Sequence, residues 1–191
     1  MKVSDRVFLS SDFVAALPAA KSLVAQGISR KFYYKLRPEA EVFFEFAGLA
    51  DLRTEDIADQ NFLSIGSYNH NLLQGGVPFI RFTSKVLFDG VAGTLWLEQK
   101  PDASLQFLNS NVACLEAIWE AWTNTHRSNV FVGGLADVQA ASDPTYKEKS
   151  EVAYRAWEAF REFVQKRDPA TYGSGHSFWP LQFDEATGPH D

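Results

Sequence analysis

The chain has 191 residues, which is enough for one domain whose apolar core needs neither disulfides nor a metal ion. Hydrophobic residues make up 46% and aromatic residues 14% of the sequence, so intrinsic disorder is excluded for most of the chain. The 24 acidic and 18 basic side chains give a net charge of −6, which argues against a nucleic-acid backbone as the main partner.

Cys114 is the only cysteine, so the sequence excludes an intrachain disulfide. The first residues lack the apolar stretch of a secretory signal. No apolar run approaches the roughly 20 residues needed to cross a bilayer. We therefore expect a cytoplasmic protein without a membrane partner.

The first predicted element is a helix over residues 19–26, which follows Pro18 and ends at Gly27. Aromatic and β-branched clusters at residues 32–34 and 42–46 then predict two strands. The proline at position 38 separates these two strands because it cannot donate to a strand ladder.

The middle of the chain has the pattern of consecutive antiparallel strands. An acidic, turn-like segment at residues 51–60 is expected on the surface before they begin. Gly75-Gly76 and Asp89-Gly90 are turn signals between strands. The predicted strands are residues 62–66, 79–82, 95–97 and 105–108.

Two amphipathic helices are predicted next, over residues 112–124 and 147–166. Asp168-Pro169 should end the second helix, because a proline disfavours helical backbone in the residue before it. The side chains expected to be buried are Leu115, Ile118, Trp119 and Trp122 in the first helix, and Val152, Ala156, Trp157, Phe160 and Val164 in the second.

The last apolar segment, residues 178–181, is expected to dock on the rest of the protein. Strands in the middle, helices at both ends and no regular βαβ alternation predict an α+β fold. Its simplest form is a single central antiparallel or mixed sheet flanked by N- and C-terminal helices. Residues 1–185 are predicted to form one domain, and residues 186–191 a frayed tail.

The sequence contains no readable catalytic or metal site. A Cys114 nucleophile would need a histidine in reach, and His126 points about 120° away from it on the same predicted helix. The four histidines, His70, His126, His176 and His190, lack the spacing of metal ligands. We therefore expect no cofactor, no metal and no enzymatic activity. The alternative is a small-molecule enzyme whose residues converge only on folding, with His176, Asp184 and Glu185 as candidates.

Four short motifs follow one another in order along the chain. They are Leu23 with Gly27-Ile28, residues 62–66, residues 107–111, and Asp168-Pro169 with Ser177-Phe178-Trp179. In this order, from about Leu23 to Phe183, the chain resembles the SUKH superfamily of immunity proteins, which includes the Syd protein and cell-wall assembly regulators. In that superfamily a strand that ends in an Asn-Ser pair leads into a helix, and Asn109-Ser110 matches this junction.

The resemblance implies a non-enzymatic protein that binds a cognate polymorphic toxin domain, often one that acts on nucleic acids, and blocks its active site. The implied partner is therefore a protein, and no catalytic residues are implied. An intracellular adaptor or regulatory scaffold of the same fold is the alternative. Gene neighbourhood separates these two readings.

The acidic segment supplies candidate partner-binding residues for such a role. They are Asp51, Glu55, Asp56 and Asp59. Carboxylates at these positions would face a basic toxin cleft and speed association by electrostatic steering. A solvated turn that aids solubility is the alternative reading of the same residues.

Overall fold

The computed structural model describes residues 6–7, 28–29, 31–37, 40–46, 53–55, 62–99, 103–128, 145–173 and 177–187. The chain divides into two compact units, Met1–Glu116 and Ala117–Asp191. The predicted helix at residues 19–26 lies outside the described residues.

The first unit contains a seven-stranded antiparallel sheet, which confirms the predicted α+β class and the antiparallel pairing. A separate two-stranded sheet joins β1 (Arg6–Val7) to β2 (Ile28–Ser29). The larger sheet consists of β3 (Lys31–Arg37), β4 (Ala40–Phe46), β5 (Arg53–Glu55), β6 (Phe62–Gln74), β7 (Val77–Asp89), β8 (Leu95–Glu98) and β9 (Leu105–Asn109). Six of these strands follow one another in the order β3-β4-β6-β7-β8-β9, and β5 pairs with β6 beside them.

Alternation along β4 explains why this segment forms a strand with one buried face. Ala40, Val42, Phe44 and Phe46 are buried, whereas Glu41 and Glu45 point to the opposite face. Every strand predicted from residues 32–34, 42–46, 62–66, 79–82, 95–97 and 105–108 is confirmed, with longer bounds.

The segment of residues 51–60 differs from its prediction as a turn. Arg53–Glu55 forms strand β5 and pairs with β6, so that Glu55 lies opposite Phe62. The acidic composition indicated a turn. Pairing with β6, however, gives the backbone N–H and C=O groups of β5 hydrogen-bond partners whatever the charge of its side chains. The other residues of the segment lie outside the described part of the chain.

The junction between β9 and helix α1 (Val112–Ser128) lies where the sequence predicts a change from strand to helix. The side-chain Oδ1 of Asn111 accepts a hydrogen bond of 2.9 Å from the backbone N–H of Cys114. This bond satisfies one of the N–H groups that the first helical turn leaves without a partner. Asn111 therefore caps α1, one residue after the Asn109-Ser110 pair.

The second unit contains the end of α1, helix α2 (Tyr146–Arg167), a 3-10 turn (Pro169–Tyr172) and helix α3 (Phe178–Thr187). The predicted apolar face of α1 is confirmed: Leu115, Ile118, Trp119 and Trp122 are all buried. Helix α2 ends before Asp168-Pro169, as predicted. In α3, Phe178 and Trp179 are buried, and residues 188–191 lie outside the described part of the chain.

The buried face of α2 differs from its prediction at Val152, and Ala156, which was also expected to be buried, is only half-buried. Val152 is 58% exposed, and Ala153 is buried in its place. Ala153, Trp157, Phe160 and Val164 are spaced i, i+4, i+7 and i+11, which forms one stripe, and Val152 lies about 100° away from Ala153. The small Ala153 side chain is a weak marker of a core position, so the sequence favoured its larger neighbour.

Candidate interaction surface

The outer edge of β7 is only partly covered by the next strand. Strand β8 pairs with four residues of β7, from Lys85 to Phe88. No strand in the described part of the chain pairs on that side with residues 77–84. These eight residues are called the open edge below. Apart from Pro78, which has no N–H, their outward N–H and C=O groups form a row that can accept another strand.

Large apolar side chains are exposed along this open edge. Val77 is 66% exposed, Phe79 57%, Ile80 39% and Phe82 56%. Single exposed apolar residues are ordinary, but a contiguous group marks an interaction site or a ligand groove. Arg81 is the only charged residue within the open edge, and Pro78 near the turn also belongs to it. Charge and proline are both features that limit uncontrolled pairing at the edge of a sheet.

A two-residue glycine turn joins β6 to β7 and makes the two strands a hairpin. Gly75 and Gly76 both have positive φ, at 60° and 81°, which matches the two-residue turn that suits twisted strands. Gln74 and Val77 face each other across this turn. The predicted turn between strands at Gly75-Gly76 is therefore confirmed.

A row of paired residues across the sheet shows how the buried face becomes exposed at the open edge. Tyr34, Val42, His70 and Phe82 lie opposite one another on consecutive strands. Tyr34 and Val42 are buried, His70 is half-buried, and Phe82 is mostly exposed. The rings of His70 and Phe82 lie 6.1 Å apart. The apolar face of the sheet thus continues to an edge where no further strand covers it in the described part of the chain.

The opposite face of the same strands is polar and hydrogen-bonded. Glu41 accepts a bond of 2.8 Å from the Tyr33 hydroxyl and one of 2.9 Å from Nδ2 of Asn71. The bond from Asn71, followed by that from Tyr33, lowers the pKa of Glu41, and the bond to Glu41 raises the pKa of Tyr33. At neutral pH, Glu41 is therefore a carboxylate and Tyr33 a neutral phenol.

Glu41, Asn71 and Arg81 form a row of polar residues across the sheet, and Arg81 lies at its outer end. It lies opposite Asn71 on β6, and Asn71 lies opposite Glu41 on β4. Glu41 is two strands away from Arg81, about 10 Å in the direction of the hydrogen bonds. Within the described residues no ion pair joins Arg81 to a carboxylate, whereas its neighbour Lys85 contacts Glu98 at 3.1 Å. Arg81 is exposed, and among the described residues no carboxylate forms an ion pair with it.

None of the predicted partner-binding residues belongs to the open edge. Asp51, Asp56 and Asp59 are outside the described residues, and Glu55 lies at the end of β5. Sequence reasoning missed the open edge, although a signal was present. Residues 77–82 form an almost uninterrupted apolar run after a glycine turn. Such a run is consistent both with a buried strand and with an exposed edge strand.

Of the residues considered as catalytic or metal-binding candidates, Cys114 is buried, and the His126 ring contacts the rings of Trp122 and Trp157. His176 lies outside the described residues, and Asp184 is an exposed residue of α3. Over the described ranges, no group of three or more His, Cys, Asp or Glu side chains could hold a metal ion.

Comparisons of the chain with protein-family models, with curated proteins and with solved structures found no match. Among the helices in the described part of the chain, none has both the length and the apolar character that a membrane span requires.

Proposed function

We propose that this chain acts by binding another protein, and that this partner is a toxin domain which it neutralises by direct contact. The first part of the proposal is supported by the open edge. There, backbone groups that no described strand pairs coincide with four exposed apolar side chains on one hairpin. The second part follows from the resemblance to SUKH immunity proteins.

The surface has the composition of a protein-binding site. Aromatic residues and arginine are enriched at protein interfaces, because they bury a large area and still offer polar contacts. Phe79, Phe82 and Arg81 supply these residue types side by side on the hairpin. A small molecule would need a concave site with converging polar groups, whereas the open edge is one side of a strand with which no described strand pairs.

The proposal is tested with the toxin domain encoded beside the gene for this chain. Co-expression should rescue growth, and the two proteins should co-purify as a complex. Replacing Phe82→Ser should weaken this complex at least tenfold, about 1.4 kcal/mol, because an apolar anchor is lost. Val152→Ser is the matched control, since Val152 is exposed to a similar degree on helix α2.

Three results would count against the proposed function. They are toxicity that persists on co-expression, a toxin domain that does not co-purify, and a Phe82→Ser variant that binds as tightly as the Val152→Ser control. Circular dichroism of both variants is the control that tests whether each remains folded.

A further inference from the structure

We propose that the open edge takes up an extended strand of the partner protein, and that this strand places a carboxylate opposite Arg81. The inference rests on the proposed function and specifies how the partner binds. Strand addition to a sheet edge uses main-chain hydrogen bonds for affinity and alternate side chains for specificity.

The backbone of β7 provides the place for such a strand. Strand β8 occupies the position beside β7 only as far as the pair of Lys85 with Glu98. Beyond that pair, residues 77–84 continue in strand conformation. Residues 80–84, Pro78 and Val77 pair with β6 on their other side, and Phe79 is the extra residue of a β-bulge. An added strand would therefore lie in line with β8 and would extend a sheet that is already formed.

The two faces of the open edge require different side chains from the added strand. Ile80 and Phe82 lie on the apolar face, since they pair with Leu72 and His70. Arg81 and Thr83 lie on the polar face, opposite Asn71 and Asn69. The Thr83 hydroxyl already donates a 3.0 Å bond to Oδ1 of Asn69. A complementary strand thus has apolar residues at alternate positions and a polar residue beside Arg81.

The polar residue beside Arg81 is a carboxylate because the row lacks one at its outer end. Glu41 is held by Tyr33 and Asn71, and the structure shows no ion pair between Arg81 and a described carboxylate. Opposite charges on directly paired residues of neighbouring strands attract each other, and like charges repel. Arg81 can also form two parallel hydrogen bonds with a carboxylate, which selects for this group.

A second copy of this chain fits the open edge poorly. Two identical edges would pair antiparallel about a two-fold axis perpendicular to the sheet. The axes nearest the centre of the open edge pass through Ile80, Arg81 or Phe82. They place the two Arg81 side chains either directly opposite each other or on diagonal positions, about 7–8 Å apart. Charge therefore favours a different, acidic strand over self-association.

The test uses the full chain and the toxin domain encoded beside its gene. Backbone amide exchange is measured for residues 77–84, with and without the toxin domain. Strand addition should slow exchange of the outward-facing amides at least tenfold in the complex, because they become hydrogen-bonded. Arg81→Glu should weaken binding at least tenfold. Arg155→Glu changes the net charge equally at an exposed site on α2 and should leave binding within about twofold.

Each outcome decides between the two proposals. A complex that forms without protection of residues 77–84, or in which Arg81→Glu binds as tightly as Arg155→Glu, overturns strand addition and leaves the proposed function standing. Absence of any complex overturns the proposed function and the inference with it. Protection of the same amides in the isolated chain, together with a dimer in sedimentation, would assign the open edge to a second copy and overturn the inference.

Discussion

His126 lies edge-on to Trp157, with the ring centroids 4.7 Å apart and the ring planes at 83°. Trp122 contacts the same imidazole from another side, at 4.3 Å between centroids. These indole rings exclude water, and burial lowers the pKa of His126 from 6.5 to about 4. The imidazole is therefore neutral at neutral pH and packs as part of the aromatic core of the second unit.

Acid should destabilise the protein through His126. Between pH 6.5 and about 4 the unfolded chain binds a proton at this residue that the folded chain does not bind. The free energy of unfolding should therefore fall as the pH drops through this window, by up to about 3 kcal/mol, and this residue should cause no further loss below it. Urea unfolding at a series of pH values measures the slope.

His126→Phe is the control for this pH dependence, because phenylalanine retains an aromatic ring and cannot titrate. The variant should lose less stability between about pH 6.5 and about pH 4 than the parent chain. Equal losses in both proteins would show that other groups cause the acid sensitivity.

Two valines on helix α2 provide a matched test of which face is buried. Val164 is completely buried and Val152 is 58% exposed. Val164→Ala should lower the free energy of unfolding by about 2 kcal/mol, through lost apolar burial and the cavity left behind. Val152→Ala should change it by less than about 0.5 kcal/mol. Urea denaturation of both variants measures the difference, and similar losses at the two sites would contradict the observed phase of the helix.

Gly66 is required where β6 passes β4. A Cβ at this position would lie 2.3 Å from the backbone oxygen of Glu45 and 2.9 Å from Cα of Phe46. Because backbone atoms cannot rotate away, Gly66→Ala should destabilise the protein by about 1–3 kcal/mol or more. In Gly173→Ala the nearest described atom to the new Cβ is the Ala170 oxygen, at 3.5 Å, which is an ordinary contact distance, so the change should be close to neutral. Thermal unfolding compares the two variants, and equal melting temperatures would refute the close approach.

The cap of helix α1 is tested at Asn111. Asn111→Ala removes the oxygen that accepts the Cys114 N–H, and it should cost about 1 kcal/mol of the free energy of unfolding. Asn111→Asp keeps an acceptor there and adds a negative charge at the positive end of the helix dipole, so it should retain or increase stability. Denaturant unfolding separates the variants. A loss in Asn111→Asp as large as that in Asn111→Ala would contradict the cap.

Much of the fold could be predicted because its signals are local. Alternation along residues 42–46 identifies a strand, and the apolar spacing from Leu115 to Trp122 identifies a helix face. Glycines at the turn before β7 mark a hairpin because only glycine adopts such backbone angles at little cost. These properties depend on residues within a few positions of each other, and one sequence contains them.

The candidate surface could not be predicted in the same way. An apolar run such as residues 77–82 is consistent with burial between two strands and with exposure at an edge. The difference arises because β8 pairs only with the last part of β7 and stops at Glu98. Likewise, Val152 is apolar but exposed, since the phase of α2 is set by the packing of Trp157 and Phe160.

The α+β class, the positions of most strands and helices, and the hairpin turn at Gly75-Gly76 could all be predicted from the amino-acid sequence. Backbone preferences and side-chain periodicity act over short stretches, so they can be read residue by residue. Two findings came from the three-dimensional structure alone: no described strand pairs with the outer side of residues 77–84, and no described carboxylate forms an ion pair with Arg81. Both findings depend on where strands that are distant in sequence end. This long-range pairing cannot be seen in the local sequence pattern.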